Sequence, residues 1–263
     1  TSVFGPSSEF VASDLADVRA TGMFPVRSAD ECEVAVIAGG EDSFATRMHM
    51  IKAAKHTIRI QTLAFTGDES GLRVAEVLKQ KKLEGVDVRL IVDGASNPFL
   101  QTQWMYFDLK LHGIEIEGFE ALGLQLVNEI PIPFISEGAT PNKRYHEKVW
   151  IVDAGTPNAQ AVMGGLNIAN EYFRVDPMNV PGYWRDQDVA VRGAVVADLT
   201  TMFDRNYTHL KGLRGPSDVA WGVARAILDK TGPVETPFTQ RDDLKASVAA
   251  LEERPPSTGF KPT

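Results

Sequence analysis

The chain reads as an α/β protein built in layers. Between residues 31 and 117, short apolar runs alternate with helical stretches of about 10–15 residues, the rhythm of strands joined by crossover helices, which pair in parallel. The 263 residues are 43% hydrophobic and 24% charged, ordinary globular values that exclude disorder, collagen and coiled coil. At this length one large domain or two small ones bury enough surface to need no metal or disulfide for folding. The single cysteine, Cys32, excludes an internal disulfide framework and any multi-thiolate metal site.

Each element has a local reason. Residues 34–37 form an apolar strand ending at Gly39-Gly40, and 43–55 carry Phe44, Met48 and Ile51 on one helical stripe. Residues 57–65 alternate as a strand with Ile58, Ile60 and Thr62 on one face. A helix over 70–83, through Leu72, Val74, Ala75 and Leu78, stops at Gly85. A strand over 86–92, a helix over 98–112 closed by Gly113, and an extended run at 114–117 follow. Further on, 147–153 and 160–163 are short strands joined as a hairpin through 154–158. The spacing then predicts a short helix over 167–172, a strand over 188–191, and a helix over 194–210 with Val195, Leu199, Met202 and Phe203 inward. Residues 217–231 and 241–253 are amphipathic, and a Pro-rich tail closes the chain.

Two segments break the rhythm. Residues 1–30 mix Gly, Pro, Ser and Asp with no sustained period. Residues 119–143 set three prolines and two glycines among Leu122, Leu124, Leu126 and Phe134; this is either a long surface connection or an apolar lid that touches a membrane. The resulting organisation is an N-terminal extension over 1–30, a core unit over 31–211, and C-terminal helices and tail over 212–263. No apolar run approaches the ~18 residues of a membrane span. A net charge of −8 opposes tracking of DNA by bulk charge, although a local basic groove is compatible with it. The chain opens on Thr1 rather than Met, and the expectation drawn from this is a processed, exported protein.

The chemistry concentrates in Tyr145-His146-Glu147-Lys148-Val149-Trp150-Ile151-Val152-Asp153. On a strand His146 and Lys148 point to the same face about 7 Å apart. An imidazole beside an ammonium grips a phosphodiester, with one nitrogen aimed at phosphorus and one cation on a non-bridging oxygen. Parity places Asp153 on the opposite face, in a supporting role. Downstream, Gly164 and Gly165 allow close backbone approach to a ligand, and a helix starting there offers N–H groups to a phosphate. Asn167 and Glu171, four apart, share a helix face. Asn167 donates to a phosphate oxygen, and Glu171 accepts from the far imidazole nitrogen. The His-x-Lys-x4-Asp spacing alone arises by chance about 0.02 times in a chain of this composition.

His146-x-Lys148-x4-Asp153 followed by Gly164-Gly165-x-Asn167 resembles the signature of the phospholipase D superfamily. Phe65-Thr66-Gly67-Asp68, the run Gly85-Val86-Asp87-Val88-Arg89, the run Asn167-Ile168-Ala169-Asn170-Glu171-Tyr172, and Tyr183-Trp184-Arg185-Asp186 are similar to the first half of bacterial cardiolipin synthase-like members. The resemblance spans residues 31–210. It implies a phospholipase D-like α-β-α sandwich with a mixed, largely parallel sheet, and phosphodiester exchange that needs no metal or other cofactor. It further implies His146 as nucleophile or acid, Lys148 and Asn167 as phosphate ligands, and Glu171 as the carboxylate that orients the histidine. Gly165 stands where many members carry a serine.

That family pairs two His-x-Lys motifs, and this chain has one complete copy. In His209-Leu210-Lys211 the motif's Asp position is Pro216, and the triplet closes a helical pattern as a cationic C-terminus. In-line displacement needs a nucleophile on one side of phosphorus and a proton donor on the other. The expected partner is therefore a second motif from a homodimer mate or from a separate C-terminal half. Phospholipid is the expected substrate, with peripheral membrane contact; nucleic acid is the less favoured one. The alternatives are a homodimeric endonuclease of the same motif and a non-catalytic phosphate-binding half-module.

Overall fold

The structure, a computed structural model, describes residues 32–93, 96–97, 99–118, 146–175, 183–212 and 240–257. Seven strands form one sheet: β1 (Cys32–Ile37), β2 (Thr57–Thr62), β3 (Asp87–Val92), β4 (Glu115–Glu117), β5 (Val149–Val152), β6 (Gln160–Gly164) and β7 (Asp188–Gly193), in the order β1-β7-β6-β5-β2-β3-β4. The described helices are α1 (Gly40–Ala53), α2 (Glu69–Leu83), α3 (Leu100–Leu111), α4 (Asn170–Phe173), α5 (Val195–Gly212) and α6 (Asp242–Glu252). Among the described residues, no helix is long and apolar enough to cross a membrane.

The α/β class and the mixed sheet stand, but the expectation that the sheet is largely parallel is corrected. Only β2–β3 and β3–β4 are parallel; β1–β7, β2–β5, β5–β6 and β6–β7 are antiparallel. The connections supply the reason. Helices α2 and α3 return the chain across the sheet between β2, β3 and β4, whereas the short turn between β5 and β6 can only reverse direction.

The sheet is covered on both faces. On one, Phe44, Met48 and Ile51 of α1, Val74 and Leu78 of α2, Met105 and Leu109 of α3 and Phe173 of α4 close on Ile58, Ile60, Val88, Leu90 and Trp150. On the other, α5 alone among the described helices lays Val196, Leu199, Phe203, Tyr207 and Leu210 on Ile91, Val149, Ile151 and Val191. Strand β5 supplies alternate residues to both clusters, which is why it reads as an unbroken apolar run. Each such side chain contributes about 1.5–3 kcal/mol on full burial.

Helix α6 folds back on α1 and α2. Leu244, Val248 and Leu251 are buried there, and Glu252 receives Arg73 through Nε at 2.7 Å and Nη2 at 2.9 Å, and also Lys52. The extension over 1–30, the segment 119–143 and the helix expected over 217–231 lie outside the described residues.

Candidate active site

The sheet brings His146, Lys148 and the 164–167 segment to one end of its strands. The parallel strands β2 and β3 end there, the antiparallel β5 begins there, β6 ends there and β7 begins there. His146 and Lys148, which precede β5, thus meet Gly164 and Gly165 at the end of β6: the Gly164 amide donates to the Lys148 carbonyl at 3.2 Å.

Alternation acts as the sequence implies. Lys148 Nζ lies 3.4 Å from His146 Nε2 and donates to the His146 carbonyl at 2.8 Å. The imidazole residue is exposed, whereas the lysine is 6% exposed. Burial pushes the Lys148 ammonium below its ordinary pKa, and the negative charges of Asp186 and Glu147 push back. The pair is one buried cation held beside one solvent-facing imidazole.

Asn167 is buried, and its Oδ1 accepts from the Ala64 amide at 3.1 Å and from Thr62 Oγ1 at 3.4 Å. The backbone there runs as a short parallel bridge, Phe65 to Ile168, with the Thr66 amide on the Ile168 carbonyl at 2.9 Å. With its carbonyl engaged below, Asn167 keeps its NH2 as the end available to a ligand, and the Tyr172 hydroxyl already takes a hydrogen bond from that side chain.

The glycines serve a different neighbour from the one expected. A Cβ on Gly165 would sit 1.9 Å from Asp186 Oδ2, and one on Gly164 would sit 2.3 Å from Asp188 Oδ1. What approaches both is the chain's own 186–188 segment. Beneath it Asp188, wholly buried, binds Arg47 Nη2 at 2.7 Å and Ser43 Oγ, and Arg47 lies over the Trp150 ring at 4.9 Å.

The phosphate-binding helix is also corrected. Helix α4 spans only Asn170–Phe173, and the Asn170 amide donates to Asp68 Oδ2 at 2.8 Å. Asp68 also accepts from the Gly71 amide at 3.0 Å as the cap of α2. An internal carboxylate therefore holds the position proposed for an external anion. Burial raises the Asp68 pKa to about 6 against the hydrogen bonds that favour its charge.

Two motif residues fall outside the pair. Asp153 lies at the far end of β5 with φ 50°, its Oδ1 accepting from the Lys55 amide at 2.8 Å and the His56 amide at 2.7 Å. It fastens the entry to β2, a supporting task, and is separated from His146 by the length of β5. Glu171 is exposed on α4, and among the described residues no hydrogen bond joins it to His146. Sequence reasoning gave Asp186 no role, yet its charge reaches both Lys148 and Tyr172. The Trp184 ring two residues before it stacks on Tyr172 at 6.0 Å, so the aromatic-basic-acidic run was the available signal. The second triplet, His209-Leu210-Lys211, closes α5, and Lys211 Nζ pairs with Glu115 at 3.0 Å.

Comparison with known proteins identifies the family. The family model described as "Cardiolipin synthase, PLD-like domain" matches residues 48–180. A cardiolipin synthase from Halalkalibacterium halodurans is 34% identical over 177 residues, covering 67% of this chain and 32% of that protein. One from Geobacillus thermodenitrificans is 31% identical over 195 residues, covering 73% of this chain and 35% of that protein. The chain thus spans about a third of the length of these curated relatives. Among solved structures, a phospholipase D family member, Nuc from Salmonella typhimurium, aligns with a TM-score of 0.47 at 19% identity, over 70% of this chain and 96% of that one.

Proposed function

The chain belongs to the phospholipase D-like domain family of the cardiolipin synthases, and from that premise we propose that it is one catalytic half of a phosphatidyltransferase or phospholipase acting on phospholipid. The observation that supports this reading best is the 3.4 Å approach of Lys148 Nζ to the exposed His146 Nε2 at the end of the central strands. A buried ammonium beside an accessible imidazole suits a reaction in which negative charge grows on the phosphoryl oxygens.

The proposed cycle has two displacements. His146 Nε2 attacks phosphorus and forms a P–N bond as the P–O bond to the leaving alcohol breaks, and a second histidine donates the proton that the alkoxide takes up. That second histidine then removes a proton from an acceptor alcohol or water, whose oxygen attacks phosphorus and releases His146. Lys148 and the Asn167 amide bind the non-bridging oxygens in both steps. Orientation of the imidazole falls to a carboxylate at this end of the sheet, and comparing Glu171→Gln with Asp186→Asn decides between the two. Lys148 supplies the positive charge, so the cycle runs without a metal ion, and turnover that survives EDTA is the expected result.

The second histidine comes from a second motif outside these 263 residues, on a homodimer mate or on a C-terminal half. The decisive experiment incubates the protein with phosphatidylglycerol vesicles and, separately, with single-stranded DNA, alongside native mass spectrometry. Headgroup exchange by a dimeric or complemented species is expected. Cleavage of DNA alone would replace phospholipid with nucleic acid as substrate, and full turnover by a monomer would remove the need for a second motif.

A further inference from the structure

The ladder between β2 and β5 ends at the pair Gln61–Val149, so His146 and Glu147 lie beyond it. Lys148 is tied by one backbone bond from Gly164. A catalytic pair on so short a tether needs another restraint, because small errors in reacting geometry are costly. That restraint comes from the opposite face of the sheet. Glu147 points away from its neighbours, as alternation requires, and its Oε2 accepts from Gln61 Nε2 at 3.0 Å. Gln61 has no exposed surface, and its Oε1 accepts from Asn206 Nδ2 of α5 at 3.3 Å.

The placement is unusual in two ways. Gln61 occupies the α5-facing side of β2, where an apolar residue would extend the cluster around Phe203. Asn206 lies between Phe203 and Leu210 at the helical spacing of the inward stripe. Gln61 is an amide at a fully buried position, where without a partner it would be unsatisfied and destabilising. Because Asn206 holds the carbonyl end of Gln61, the amide's NH2 is directed at Glu147.

We propose that Asn206, Gln61 and Glu147 form a positioning relay that clamps the His146–Lys148 segment from behind and sets the distance between its two nitrogens. The relay rests on the catalytic reading given above. It acts through the backbone of residue 147 and touches no substrate. A second consequence is electrostatic: the charges of Asp186 and, through the sheet, Glu147 oppose the burial that lowers the Lys148 pKa, while Lys148 itself faces His146.

Glu147 is exposed, so Glu147→Ala leaves the core intact, and Asn206→Ala removes the far end of the relay; Gln61→Leu is the riskier core variant. With bis(p-nitrophenyl) phosphate as a soluble diester, Glu147→Ala and Asn206→Ala are expected to lower kcat about 10–100-fold with KM changed less than about twofold. Glu147→Gln, which keeps an acceptor for Gln61, restores most of the rate. Titration of Lys148 followed by 13C NMR, with no substrate present, moves to lower pH in both Glu147 variants and stays in place in Glu253→Gln. Unchanged kcat in Glu147→Ala, or an unmoved Lys148 titration, would overturn the relay. If the parent protein turns over no diester in any assembly, the catalytic reading falls, and a Lys148 titration that still moves in Asn206→Ala, which keeps every charge, shows the clamp apart from it.

Discussion

The molecule contains the triplet His-x-Lys twice, and the two copies differ in everything but composition. In the extended segment before β5, residues two apart share a face, and the His146 and Lys148 nitrogens come within 3.4 Å. In the last turn of α5, residues two apart are separated by about 200° around the axis. Lys211 there turns to Glu115 and the Tyr207 ring, while His209 is exposed. A motif of this kind is a statement about backbone conformation as much as about residue type.

The strongest way to break the comparison is to remove each histidine in turn. His146→Ala is expected to lower diester turnover by about 10³-fold or more, and His209→Ala to leave it within about twofold, measured as initial rates on the same substrate. Removal of each lysine sharpens it. Lys148→Gln should cost about 10²–10³-fold in kcat, the scale of a lost charge-stabilising donor. Lys211→Gln should leave kcat unchanged and cost at most about 1 kcal/mol in thermal unfolding, as for a half-exposed pair.

The two lysines should also part company with pH. Burial holds Lys148 below the ordinary lysine range, so the alkaline fall in turnover should come earlier than for a free lysine. Asp186 works against that shift, and Asp186→Asn should move the alkaline limb to still lower pH; an unmoved limb would remove Lys148 from the rate. A separate expected effect is on stability rather than rate and concerns α4, where Asp68 meets the first amide. The Asp68 pKa of about 6 lies above its ordinary 3.8, so the folded state holds this proton more tightly than the unfolded chain does. Its contribution is therefore fully present below about pH 4 and declines as pH rises to about 6. Asp68→Asn should abolish that decline, changing the parent-minus-variant stability by up to about 3 kcal/mol across the window in chemical denaturation.

Much of this was legible in advance because it depends on short periods. The βα alternation, the strands on either side of the 154–158 hairpin and the shared face of His146 and Lys148 all follow from spacing of two or 3.6 residues. Gly164 and Gly165 were legible as points of close approach, but their neighbour was not, since Asp186 and Asp188 arrive with the start of β7, more than 20 residues away. Asp186 was marked by the Tyr183-Trp184-Arg185-Asp186 run, but nothing local tied that run to Lys148. Likewise Gln61 and Asn206 are 145 positions apart, and nothing local couples them.

The amino-acid sequence by itself determined which residues lie on which face of each element, because side-chain direction is a property of local backbone geometry. It also determined that an imidazole and an ammonium stand together. Only the tertiary structure decided that four of the six strand pairings are antiparallel, that Asp68 rather than a ligand meets α4, and that Glu147 is held from behind. Those outcomes depend on which distant surfaces meet when the apolar faces of the sheet are buried, and that choice is made by the packing of the whole domain.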